Sequence, residues 1–218
     1  DRIGYSHTFS IYDEDDKISL LKTIIDDLKV SNTEITPKMV AHRISAAKNA
    51  LISPADYQRV TKNFIDEKIA TIYQEYQRRL KHLNAMDFDD LILKPIELFK
   101  NHKGVLKEYQ EKFKYILIDE YQDINNPQYE FIYNIANKYK NICAVGDDDQ
   151  SIYKFRGADI TNILEFENDY PDAEVIRLEQ NYRSTKIILD AAYHVIKNNI
   201  GRKEKRSVSY THLTLPTN

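Results

Sequence analysis

The residues best suited to chemistry lie in three short stretches, each directly after an apolar run. In "ILIDEYQD" (116–123) Asp119 and Glu120 follow three aliphatic residues. If that run is a strand, its end brings two adjacent carboxylates to one place, because the chain turns there and the strict alternation of side chains stops. Asp119 then suits a hard cation such as Mg²⁺, which takes oxygen ligands. Glu120 suits a base that orients and deprotonates an attacking water in phosphoryl transfer. A solvated acidic turn explains the same letters about as well, and the stretch alone does not choose.

The second stretch, "VGDDDQSIYKFRGA" (145–158), weighs towards a site. Gly146 permits close backbone approach, Asp147 is a further acid, and Gln150 is a neutral group able to sense a phosphate oxygen. Tyr153, Phe155 and Arg156 follow in a polar setting, where exposed aromatics beside a cation suit stacking on unpaired bases. Ordinary packing for the two rings, and a salt bridge for Arg156, are the plain alternatives. The third stretch, "LEQNYRST" (178–185), offers Tyr182 for stacking on a purine and Arg183 for neutralising charge on a transferring phosphoryl group. Ser184 or Thr185 also reads as a helix N-cap before "IILDAAYHVI", which is compatible with a functional arginine. In "NAMDFDDLI" (84–92) a helix start, with Asp87 as N-cap and Asp89 and Asp90 in the first turn, is a sufficient reading.

The elements that must position these residues fall into two kinds. Residues 10–84 read as bundled helices. Ile18, Leu21, Ile25 and Leu28 recur at helical spacing after an acidic opening turn. Thr36 and Pro37 mark a second start. Phe64, Ile65, Ile69, Ile72, Tyr76, Leu80 and Leu83 form one stripe of a third, longer helix. Beyond residue 84 the apolar runs 114–119, 141–147 and 173–179 read as strands, with a helix begun by Pro127 between the first two. Short apolar strands alternating with helices argue for a parallel α/β sheet, and such sheets bind ligands at the strands' carboxyl ends. Asp119, Asp147 and Glu179 all fall there.

Composition narrows the class. The 218 residues suffice for a substantial core, and 42% hydrophobic with 30% charged residues, 5 Gly and 6 Pro is helix-rich and soluble in character. A formal charge of −3 advertises no nucleic-acid binding, so such a role must rest on local geometry. Cys143 stands alone, which excludes an internal disulfide and fits a reducing compartment. No apolar run nears the roughly 20 residues that cross a bilayer, and the expected location is cytoplasmic. The opening "DRIGYSHTFSIYDEDDK" reads as the middle of a longer chain. The closing "SVSYTHLTLPTN" reads as a non-native or read-through tail.

Taken in order, "DEYQD", "VGDDDQSIYKFRGA" and "LEQNYRS" resemble the second, third and fourth motifs of the UvrD/Rep/PcrA-type superfamily 1 ATP-dependent DNA helicases, and "NAMDFDDLI" resembles the segment entering the second. "FSIYDEDD" and the helices after it are similar to that family's helical insertion. The resemblance runs from about Tyr5 to Lys205. It implies an incomplete RecA-like (P-loop NTPase) α/β sheet with an all-helical inserted domain. Residues 1–84 would be the insertion, 85–178 the later part of the first motor domain, and 179–205 the start of the second, with 206–218 outside the pattern. The implied activity is ATP hydrolysis with Mg²⁺, coupled to 3′–5′ movement on single-stranded DNA and duplex unwinding in repair or replication. Residue by residue, it makes Asp119 the Mg²⁺ ligand, Glu120 the catalytic base and Gln150 the γ-phosphate sensor. Tyr153 and Phe155 become DNA contacts, Phe155 standing where many relatives carry Trp. Tyr182 would lie against adenine, Arg183 against the γ-phosphate, and Arg156 would be structural or coupling.

The family's phosphate loop, G-x-x-x-x-G-K-[ST], and its glutamine-containing adenine motif have no match here; "HKGVLK" lacks the paired glycines and the Ser/Thr. The 218 residues alone are therefore expected to show no significant ATPase activity. Two other readings share these motifs: the helicase part of a helicase–nuclease, and a non-catalytic module that binds DNA or a partner through a motor-like surface.

Overall fold

Each helix of the first 84 residues begins at a side chain that can accept its free N–H groups. The computed structural model describes residues 2–30, 34–198 and 208–209. The Arg156 side chain, for which a coupling role is expected, lies outside the described residues, as does the 206–218 tail apart from the backbone of 208–209. Strand β1 (Ser10–Tyr12) leads into α1 (Glu14–Asp27), where Asp13 and Asp16 form a reciprocal capping box. Helix α2 (Pro37–Asn49) starts with the Met39 N–H donating to Thr36 Oγ1 at 3.2 Å. Ser53 caps α3 (Pro54–Arg59) and Asn63 caps α4 (Phe64–His82). The apolar stripes meet in one core containing Leu21, Ile24, Val40, Ile44, Ile72 and Leu80. The stripe of α4 is buried in its middle, whereas Phe64 at its start and Leu83 just past its end are exposed.

The next element departs from expectation. Residues Ala85–Asp87 form β2, which pairs parallel with β1 in the register Ser10↔Ala85, Ile11↔Met86 and Tyr12↔Asp87. Asp87 is thus a strand residue and not an N-cap, although its Oδ1 accepts the Asp90 N–H at 2.9 Å as α5 (Asp90–Asn101) begins. The strands escape a periodicity search because three residues hold too little alternation, and the pairing joins segments some 75 positions apart.

Helix α6 (Lys103–Lys112) contains the "HKGVLK" glycine, so that stretch is a helix start. Strand β3 (Ile116–Ile118) ends in a 3₁₀ turn, Tyr121–Asp123, before α7 (Asn126–Ala136), and β4 (Ile142–Ala144) lies beside β3. Their bonds, Ile116 N–H to Asn141 O (2.9 Å) and Val145 N–H to Ile118 O (2.8 Å), advance in the same direction along both strands. Short helices α8 (Thr161–Leu164) and α9 (Phe166–Asp169) follow. The segment 173–179, expected as a strand, is not one: β5 is Gln180–Asn181, paired parallel with β6 (Val208–Ser209). Val175, Ile176 and Leu178 stand 53, 71 and 83% exposed. An apolar run becomes a strand only when a neighbour takes its backbone groups, and among the described residues none pairs with it. Helix α10 (Lys186–Ile196) has Thr185 at its N-cap position, without a side-chain cap bond.

The fold is mixed α/β with short parallel strand pairs. It divides into two compact units, one of residues 1–117 and 124–143, the other of 118–123 and 144–218. The first holds the helical core and a smaller cluster of Phe99, Val105 and Ile135. The second is built round Tyr121, which is 1% exposed and meets Phe166 edge-on, with ring centroids 5.4 Å apart. Among the described residues no helix is long and apolar enough to cross a membrane.

Candidate functional site

All seven residues expected to act on a nucleotide or on DNA belong to the second unit. Asp119 and Glu120 leave β3 exposed, and the Glu120 N–H donates to Asp119 Oδ1 at 2.9 Å. That bond accompanies a backbone φ of 51° at Glu120. Among the described residues, the other non-glycine positions at positive φ are Lys29, Leu51 and Asn84, each two residues past the end of α1, α2 or α4, and Lys140, four residues past α7; a left-handed residue is a common way to close a helix. Glu120 instead ends a strand and bears a candidate catalytic group, the kind of place where such strain collects.

The Glu120 carboxylate is held from within. Gln122 is 1% exposed, and its Nε2 donates to Glu120 Oε2 at 2.7 Å. On its other side Gln122 Oε1 accepts the Asp147 N–H at 2.9 Å. Asp147 in turn accepts the Asp149 N–H at Oδ1 (3.0 Å) and the Gln150 Nε2 at Oδ2 (2.8 Å). A continuous chain of hydrogen bonds thus runs Glu120–Gln122–Asp147–Gln150, joining the end of β3 to the loop after β4. Gly146 is required by the close approach: a Cβ there would lie 2.7 Å from Gln122 Oε1, 2.8 Å from Ile163 Cδ1 and 3.2 Å from the Tyr121 nitrogen.

Tyr153 and Phe155 follow on the same loop with ring centroids 6.0 Å apart, and Phe155 is 77% exposed. That exposure leaves the Phe155 ring accessible to solvent. Tyr182 and Arg183 sit on a separate turn. Asn181 Oδ1 accepts the N–H groups of Arg183 and Ser184 at 2.9 and 2.8 Å, and the Tyr182 hydroxyl donates to Gln180 Oε1 at 3.0 Å. Both side chains are exposed. The carboxylates of Asp147, Asp148 and Asp149 lie within 4.8 Å of one another. These three are hard oxygen donors of the kind a divalent ion takes, and Asp119 is not one of that group.

In the first unit the structure holds a polar cluster for which the helix-start reading of "NAMDFDDLI" assigned no chemistry. Lys48, Asp87 and Asp90 are each 1% exposed. Lys48 Nζ lies 2.7 Å from Asp87 Oδ2 and 3.0 Å from Asp90 Oδ1, and the Tyr76 hydroxyl donates to Asp87 at 2.9 Å. Lys17, also buried, donates to Ser45 at 2.6 Å and pairs with Asp89 at 3.4 Å. Burial opposes ionisation of Asp87, but the charges and bonds of Lys48 and Lys17 outweigh it and hold its carboxyl below the usual range. Asp90 is pushed up by burial and by the Asp87 charge, against the pull of Lys48. A signal for this cluster was present: Lys17 and Lys48 stand four residues from Leu21 and Ile44, on the buried faces of their helices. Alongside it a cleft of about 150 Å³ is lined by Asn49, Phe88, Asn125 and Gln128 among others, and Phe88 is 63% exposed.

Residues 1–171 match the model of the UvrD/REP helicase N-terminal domain. Over 205 residues the chain is 49% identical to the ATP-dependent DNA helicase PcrA of Bacillus subtilis and 50% identical to those of Staphylococcus aureus and Staphylococcus epidermidis. Each alignment covers 94% of this chain and 28% of the relative, so the chain spans well under a third of the length of the proteins it matches.

Proposed function

Because the chain belongs to the UvrD/REP helicase family through its N-terminal domain, we propose that it forms part of an ATP-driven motor. In this reading the motor moves 3′ to 5′ on single-stranded DNA and separates duplexes in cytoplasmic DNA repair or replication. Residues 1–84 are the helical insertion, 85–178 the later part of a RecA-like first motor domain, and 179–205 the beginning of the second. The observation that carries the reading is the hydrogen-bonded chain from Glu120 to Gln150. It links a carboxylate able to act as base to an amide able to sense a phosphate, on the loop that also bears the aromatic pair.

The residues fit Mg²⁺ and a nucleotide in donor chemistry: Asp119 offers an exposed carboxylate to the ion, and Arg183 an exposed guanidinium to the γ-phosphate. Mg²⁺ supplies charge neutralisation across the phosphates when bound. Glu120 orients the attacking water and takes its proton. Gln150, tethered to Asp147, registers the phosphate oxygen. Arg183 neutralises charge developing on the phosphoryl oxygens, and Tyr182 lies against the base. Tyr153 and Phe155 stack on successive bases without reading sequence, which explains DNA binding by a chain whose net charge is −3.

The test places the aligned 205 residues in the Bacillus subtilis relative and measures DNA-stimulated phosphate release. Glu120→Gln is expected to lower kcat by roughly 10²–10⁴-fold, the usual contribution of a general base, with single-stranded DNA affinity kept. Turnover at the unsubstituted rate would remove Glu120 from the mechanism.

A further inference from the structure

Gln122 has no role in the chemistry described so far, yet it is the side chain on which the two halves of the candidate site meet. We propose that Gln122 is a positioning residue: its amide fixes the Glu120 carboxylate relative to the loop that begins at Asp147. Displacement of that loop then moves the base, and the reverse. The inference rests on the reading of Glu120 as the base.

Three observations carry it. First, the amide is used at both ends, with Nε2 donating to Glu120 Oε2 at 2.7 Å and Oε1 accepting from the Asp147 backbone at 2.9 Å. A carboxylate demands a donor and a backbone N–H demands an acceptor. Of the side chains with this reach, a primary amide presents both on one rigid plane without adding charge. Glutamate would set a third carboxylate against Glu120 and Asp123, whose Oδ2 is already 3.4 Å from Gln122 Nε2. Second, Gln122 is 1% exposed while Glu120 itself is exposed, so the clamp is anchored in the protein and reaches out to the reactive group. Third, the loop comes up against the Gln122 amide as closely as a glycine allows, since a Cβ on residue 146 would stand 2.7 Å from Gln122 Oε1. The backbone of Gln122 takes part as well, its carbonyl accepting from Ser151 Oγ at 3.4 Å on the same loop.

The experiment compares Gln122→Met, which keeps volume and removes both bonds, with Gln122→Glu, which keeps shape and an acceptor but loses the donor. Turnover is read in the helicase that carries the 205 aligned residues, and the exchange rate of the Asp147 amide proton in the 218-residue chain. The expected result for both variants is a fall in kcat of roughly 10–100-fold, the scale of a small misplacement of a reacting group. KM for ATP and single-stranded DNA affinity stay within threefold. Asp147 exchange rises at least about tenfold in Gln122→Met and less in Gln122→Glu, a difference set by the retained acceptor. Unchanged kcat, or unchanged Asp147 exchange in Gln122→Met, overturns the proposal. So does a joint loss of kcat, KM, DNA affinity and cooperative melting in both variants, which assigns Gln122 to the core alone. Glu120→Gln serves as the reference: if it retains turnover the reading of the base has failed, whereas its inactivity beside a normal Gln122→Met overturns this inference only.

Discussion

At Glu120 a side chain able to act as base stands on a backbone that a residue with a Cβ adopts only at a cost, on the order of 1–3 kcal/mol. The conformation turns the carboxylate towards Gln122 and lets the Glu120 N–H reach Asp119. Glu120→Gly is therefore expected to unfold at the same denaturant concentration as the unsubstituted chain or a higher one. Glu120→Val is expected to lose about 1–2 kcal/mol, because a branched Cβ fits positive φ worst; equal midpoints for the two would contradict the strain. Asp87 gives a pH prediction. Its folded-state pKa lies below the unfolded value of about 3.9. Its stabilisation is therefore complete above that value and disappears as pH falls through the lower folded value. The difference in unfolding free energy between the unsubstituted chain and Asp87→Asn should be level from about pH 7 to 5 and shrink below about pH 4. A difference that grows on acidification would show the opposite sign.

Among the elements, α2 bears the greatest burden. Its last turn supplies Lys48 to Asp87 of β2 and Asp90 of α5, and Asn49 Oδ1 accepts from Asn125 Nδ2, at the N-cap of α7, at 2.9 Å. Lys48→Met removes the cation that lies nearest to two buried carboxylates and should cost about 3–5 kcal/mol in urea unfolding followed by helical signal. Adding Asp87→Asn and Asp90→Asn should recover part of that loss, since no bare charge remains. A triple variant less stable than Lys48→Met would show that geometry, not charge, holds the cluster. In the second unit β4 leads into Gly146, and Gly146→Ala should cost about 1–3 kcal/mol by overpacking against Gln122, Ile163 and the Tyr121 backbone. The helices were readable because caps and apolar stripes are local. Strands β1 and β2 were not, because three residues hold too little periodicity and their partners lie far away in sequence. The 173–179 run misled for the complementary reason: its composition is that of a strand, but no neighbour pairs with it among the described residues.

For the molecule as a whole, one expectation follows from what the 218 residues contain. No G-x-x-x-x-G-K-[ST] stretch is among them, and the only Gly-Lys feature lies at the start of α6. Phosphate release by the purified chain should stay at background with or without single-stranded DNA, and appear once the aligned residues sit in the longer relative; helicase-level turnover by the chain alone would refute this. Asp119, Glu120, Gln150, Tyr153, Phe155, Tyr182 and Arg183 could be singled out as candidates in one dimension, because their types and order suit the chemistry proposed for them. So were the helix starts, where a side chain caps a backbone three positions on. What the letters could not convey was which polar groups touch. Gln122 looks like a surface residue in the sequence, and although Lys48 falls on the buried face of its helix, the partners of both are set by contacts between segments distant along the chain. A buried amide or ammonium persists only where folding brings it partners, and those partners are chosen by packing, which no local pattern encodes.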